Sequence, residues 1–116
     1  MGVPIHGTFD AALARNLLRK KAAEQNWRPN LRARATAALT ALTEIVVLSQ
    51  TPAMLDINVI NRGGNTGIEL VCEVRWVAAK QVWLDQANAW LARTTDELHI
   101  TDGTDSARIA AIIWSD

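Results

Sequence analysis

Tyrosine is missing from this chain, and phenylalanine occurs once. Five tryptophans supply nearly all of the aromatic surface, so the core must rest on a few large anchors set among small, alanine-rich positions. Cysteine is almost absent too. Cys72 stands alone, which excludes an intramolecular disulfide and any metal site built from clustered cysteines. An excess of one charge sign is lacking: 12 basic and 12 acidic residues cancel, so bulk electrostatics give no support for a nucleic-acid or a membrane partner. No apolar run approaches the ~20 residues of a membrane-spanning helix, and the N-terminus lacks the apolar stretch of a signal peptide. A soluble, cytoplasmic protein is the expectation. What is present is ordinary: 116 residues, 49% hydrophobic and 21% charged, enough for one domain with a real core.

Two stretches organise the chain. Leu39 to Leu48, LTALTEIVVL, has the period of an amphipathic helix, and Gly67 to Ala78, GIELVCEVRWVA, reads as a long strand beside it. Around them the order of elements follows from period and punctuation. Val3 and Ile5 suit a short edge strand, where Pro4 is tolerated. Thr8 or Asp10 can cap a helix starting near Phe9, with Phe9, Leu13, Leu17, Leu18 and Ala22 on its apolar face. Arg15, Arg19, Lys20 and Lys21 decorate the rest of that helix, and Asn26 to Pro29 ends it, with Trp27 tucked under the connection. Asn30 is a cap for a second helix over Leu31 to about Leu48, whose stripe is Leu31, Ala35, Ala38, Leu42, Ile45 and Val46.

Met54 to Asn61 alternates, with Leu55, Ile57 and Val59 on one face. Arg62 to Thr66, RGGNT, is a hairpin loop, because its glycines supply positive φ. Gly67 to Val77 returns as a strand, with Ile68, Leu70, Cys72, Val74 and Trp76 facing one way; Cys72 in that series reads as an inert core thiol. Ala78 to Thr94 is a third helix, with Trp83, Ala87, Trp90 and Leu91 at helical spacing. Glu97 to Thr101 is a strand, Asp102 to Asp105 a turn, and Ser106 to Trp114 the closing strand. The fold class is α+β: a two-layer sandwich with a mostly antiparallel sheet and about three helices on one face.

Several strings, in this order and spacing, resemble the histidine-kinase-like ATPase superfamily, in its branch of anti-sigma factors and switch serine kinases. Thr8 to Ala23 resembles that branch's first helix. Ala37 to Leu48 resembles its second, whose motif is a Glu followed four residues later by an Asn. Gly67 to Glu73 resembles the strand that leads into the adenine-binding Asp-x-Gly-x-Gly box, and Leu91 to Trp114 resembles the last two strands. The resemblance implies that residues 1–116 form one domain of that fold. It also implies where an ATP and magnesium site would lie, and there the chain departs from the family. Glu44 holds the position of the motif's Glu, but its Asn falls on Leu48, which cannot coordinate magnesium. The adenine-binding acid falls on Val74, with Glu73 facing the other way. The glycines of the box fall on Trp76 and Ala78, and the glycine-rich lid over the phosphates is missing. Gly103 and Thr104 match a nucleotide-contacting pair, and a hairpin turn explains them equally well.

Other chemistry is sparse. His6 and His99 have no metal-ligand spacing around them, and Ser49 and Ser106 have no His/Asp arrangement. Asp102, Asp105 and Asp116 read as solvated acids, and Gly63-Gly64 lacks the Lys and helix of a phosphate-binding loop. The expectation is therefore a non-enzymatic regulatory domain that binds neither cofactor nor metal. By resemblance its partners are proteins of a partner-switching circuit: an anti-sigma antagonist, a sigma factor or related regulator, or a second copy. The alternatives are an ATP- and magnesium-dependent serine kinase in which Glu44 is catalytic, and a structural dimerisation module. Two surfaces suit docking: the basic first helix around Arg15, Arg19 and Lys20, and an apolar strip of Val71, Val77, Ala110 and Ile112 on the sheet face away from the helices, where an exposed strip would mark a homodimer interface.

Overall fold

The computed structural model describes residues 2–49, 51–75 and 80–115. In order the elements are β1 (Gly2–Ile5), α1 (Thr8–Glu24), α2 (Pro29–Ser49), β2 (Ala53–Arg62), β3 (Asn65–Arg75), α3 (Lys80–Ala92), β4 (Glu97–Asp102) and β5 (Ser106–Trp114). The strands form one antiparallel sheet in the order β1-β2-β3-β5-β4. Trp76, Val77, Ala78 and Asp116, and the side chains of Trp83 and Asp102, lie outside the described residues.

The punctuation behaves as its chemistry requires. Gly63 and Gly64, with φ of 59° and 89°, form the two-residue turn between β2 and β3; two successive positive φ angles are what a tight hairpin needs and what other residues resist. Asn26, at φ 52°, is the residue just past the end of α1. There Trp27 N–H donates to the Ala22 carbonyl (3.0 Å) and Asn26 N–H to that of Ala23 (3.3 Å). This is the left-handed helix stop in which asparagine substitutes for glycine. Trp27 is buried under the connection, as its position implies. The second helix begins earlier than Asn30: Pro29 is its first residue and the Arg28 carbonyl accepts from Arg32, because proline's fixed φ suits the first helical position and its missing N–H costs nothing there. At α1 the N-cap is Gly7 rather than Thr8; Asp10 instead accepts from the His6 backbone N–H at 2.8 Å.

Alternation fixes the two faces of the sheet. Ile68, Leu70, Cys72 and Val74 of β3 pair with Ile113, Ala111, Ile109 and Ala107 of β5, and all are buried with Leu55 and Ile57 of β2. Against that face α2 sets the expected stripe, from Leu31 through Ala35, Ala38 and Leu42 to Ile45 and Val46, with Leu39 added. Burial pushes the Cys72 thiol up to about 12, so it stays protonated in the core.

Three expectations need correction. The buried face of α1 is Ala11, Ala14, Leu18 and Ala22, while Phe9 is 76% exposed and Leu13 45%. Small side chains let the helix lie close to its neighbours, and that proximity outweighs the larger residues on the adjacent face. In α3 the buried positions among the described side chains are Leu84, Ala87 and Leu91, and Trp90 is half-buried, packed against the core without being enclosed by it. Finally, Val71, Ala110 and Ile112 do lie opposite the helices, yet they are 9%, 2% and 4% exposed. The register sets them in rows flanked by long polar neighbours, Asp56–Val71–Ala110–His99 and Asn58–Glu69–Ile112–Glu97. The strip is therefore not an exposed apolar patch.

Candidate functional site

The topology brings the positions of the resemblance to one end of the molecule. Helix α2 ends at Ser49, and Thr51 Oγ1, just beyond it, donates to the Arg75 carbonyl at the end of β3 (2.6 Å). Val74 and Arg75 pair with Ala107 and Ser106 at the start of β5. Gly103 and Thr104 sit in the turn that feeds β5, where Gly103 N–H donates to the Ser106 carbonyl (2.8 Å). So the C-terminal part of α2, the end of β3 and the β4–β5 turn converge. Val74 is fully buried in the core, Glu73 is exposed on the other face, and Leu48 is 37% exposed beside α1. Four residues separate β3 from α3.

Glu44 is exposed on a ridge of α2 between two grooves. The groove towards α3, of about 540 Å³, also holds Thr40, Gln86, Trp90, Arg93 and Thr94. Glu44 is the single carboxylate among the described residues that line it. A lone acid in an open groove, without a histidine, a thiol or a second carboxylate, has no partner for acid–base relay or for divalent metal binding. Among the described residues no group of three or more His, Cys, Asp or Glu side chains could hold a metal ion. Ser49 is buried, and its hydroxyl donates to the Val46 carbonyl at 2.6 Å. His6 is exposed and His99 lies on the outer sheet face near Glu97.

The polar cluster that sequence reasoning missed is at the opposite end. Glu97 accepts from Trp114 Nε1 (2.8 Å) and from Arg62 (2.9 and 3.2 Å), and Arg62 stands 5.0 Å from the centroid of the Trp114 ring. Asp96 accepts from Arg34 of α2 and from the Trp114 backbone N–H, both at 2.7 Å. The bonds from Trp114 and Arg62 hold Glu97 below the usual carboxylate range. For Asp96, burial pushes upward, but the bonds from Trp114 and Arg34 outweigh it and the net shift is downward. Trp114 lies over Gly67, where an added Cβ would come within 2.7 Å of the indole and of the Ile113 carbonyl. The cluster ties together α2, β2, β4 and β5.

No family model matches the chain, and no curated protein matches it in sequence. Among the described residues no helix is long and apolar enough to cross a membrane.

Proposed function

We propose that this is a non-catalytic regulatory domain that acts by binding other proteins, a degenerate relative of the anti-sigma and switch-kinase ATPases that has lost its nucleotide site. The observation that carries the reading is the burial of Val74. The position that should offer an acid to adenine is an aliphatic side chain turned into the core, paired across the sheet with Ala107. Leu48, at the magnesium position, and the four-residue link from β3 to α3 support the same reading. A chain of this kind works through its surface, and its partners are proteins of a partner-switching circuit.

Titration calorimetry of the purified chain with ATP and ADP, with and without magnesium, tests the proposal. No binding up to about millimolar concentration, weaker than about −4 kcal/mol, is expected. Micromolar affinity would overturn it in favour of a kinase-type activity using Glu44.

A further inference from the structure

The zero net charge conceals a segregation. From Ala11 to Thr43 there are seven basic residues and a single acid, Glu24; the rest of the chain holds five basic residues and eleven acids. The basic stretch is the α1–α2 hairpin. Of its cations only Arg34 has a carboxylate partner among the described residues, so Arg15, Arg19, Lys20, Lys21, Arg28 and Arg32 stand unpaired. Their placement works against the fold. Arg15 and Arg19 are four apart on α1, where like charges repel. Arg28 and Arg32 sit at the positive end of α2, whose first turn has no acid.

Three of these cations, Arg15, Arg19 and Arg32, line a furrow along the solvent side of the α1–α2 seam. One stretch, of about 370 Å³, has Leu18, Ala22 and Ala33 in its lining, with Arg19 and Arg32 at its sides. The other, of about 340 Å³, carries Ala11, Arg15 and Leu48, with Glu44 as the one acid of its described lining, so the cationic character is concentrated at the Arg19–Arg32 stretch. From Ala11 to Ala22 the seam runs about 16 Å, three turns of helix. No aromatic residue among the described ones lines either stretch, so the described furrow offers no platform for stacking bases. Small apolar residues between cationic sides suit the apolar edge of a helix whose flanks are acidic.

We infer that this furrow docks an acidic amphipathic helix of a partner protein. The inference rests on the interaction-domain reading above and specifies the chemistry of the partner. The test is fluorescence anisotropy with the full chain and a labelled synthetic peptide of about 16 residues, leucines at helical spacing on one stripe and glutamates elsewhere, held helical by a covalent staple because its like charges oppose the free helix. At low salt, micromolar binding is expected, weakening as salt screens the contacts. Reversal of Arg19 and Arg32 to Glu should weaken it about tenfold or more, and reversal of Arg75 and Arg108 on the sheet should change it less than about twofold. Ala33→Glu, at an exposed position, should weaken it as well and guards against misfolding of the double variant. Absence of binding, indifference to Arg19, Arg32 and Ala33, or tighter binding of a duplex DNA of equal charge would each overturn the inference. ATP titrated into the same sample separates the two readings: nucleotide binding sinks the proposed function, whereas loss of peptide binding alone sinks only the furrow.

Discussion

At the end of the sheet where β2 turns into β3, Glu97 and Asp96 together collect bonds from Arg34, Arg62 and both the backbone and the indole of Trp114. At the other end, where β3 stops at Arg75, Val74 is buried and Leu48 borders an open groove that it shares with Arg15, Thr40, Thr43 and Glu44. The contrast teaches where this chain has kept polar specificity. Its charged, geometrically defined contacts tie elements together, and at the end where the proposed relatives would bind nucleotide the two key positions are aliphatic, Leu48 and Val74. Placing an acid at Val74 should therefore damage the fold, and dismantling the cluster of Asp96, Glu97, Arg34, Arg62 and Trp114, which acts as a latch between elements, should cost stability.

The sharpest way to break the contrast is Val74→Asp, which restores the acid that the resemblance calls for. Val74 is fully buried, with Ala107 opposite. An unpaired carboxylate there should cost about 3–5 kcal/mol or drive its own protonation. Chemical denaturation would read this as a large fall in midpoint, and calorimetry should still find no ATP. A variant as stable as the parent would mean that this end is open and that the site is less degenerate than its burial indicates.

Next in size is Trp114→Ala. It removes the ring from over Gly67, the indole bond to Glu97 and the contact with Arg62. The residue is half-buried, so the expected cost is about 2 kcal/mol, below the range for a fully buried tryptophan. An unchanged melting temperature would show that the latch is decorative.

The latch also sets the acid limb of stability. The folded-state pKa values of Asp96 and Glu97 lie below their ordinary values of 3.8 and 4.5. Their contribution is thus present above those ordinary values and is lost as pH falls through the lower folded-state values. Asp96 is partly exposed, so the effect is a fraction of what a buried pair would give. Denaturation midpoints of the parent and of Asp96→Asn should converge on acidification below the ordinary carboxylate range. A constant gap between them would remove the charge from the explanation.

Much of the fold was readable because it depends on local rules. Alternation in β3 and β5, the Gly63-Gly64 turn and the stripe of α2 are each set by residues a few positions apart. The face of α1 was misread because Ala11, Ala14 and Ala22 carry little hydrophobic signal, although small size is what lets them pack, while Phe9 and Leu13 carry much and stay outside. The latch left no trace in the sequence: its bonds span 62, 35 and 17 residues, and nothing local marks Arg34 and Arg62 as partners of adjacent acids. The strip of Val71, Ala110 and Ile112 was placed on the right face but its exposure was not foreseeable, since that depends on which side chains stand across from it in the register.

The smallest effect is expected at Leu48. Leu48→Asn supplies the magnesium ligand of the family motif at the position four residues after Glu44. Leu48 is 37% exposed on the side of α2 that faces α1 and shares a groove with Ala11, Arg15 and Val47. Exchanging a partly exposed leucine for asparagine there should change stability by no more than about 0.5 kcal/mol. Nucleotide binding should not appear either, because a single amide oxygen is a small part of the six oxygen ligands that magnesium demands, and Val74, which the proposed reading aligns with the adenine-binding acid, stays a buried aliphatic. Calorimetry with ATP and magnesium on this variant is the test. Binding at tens of micromolar would mean that one side chain separates this chain from an active ATPase, and that its aliphatic end is a recent loss rather than a rebuilt core.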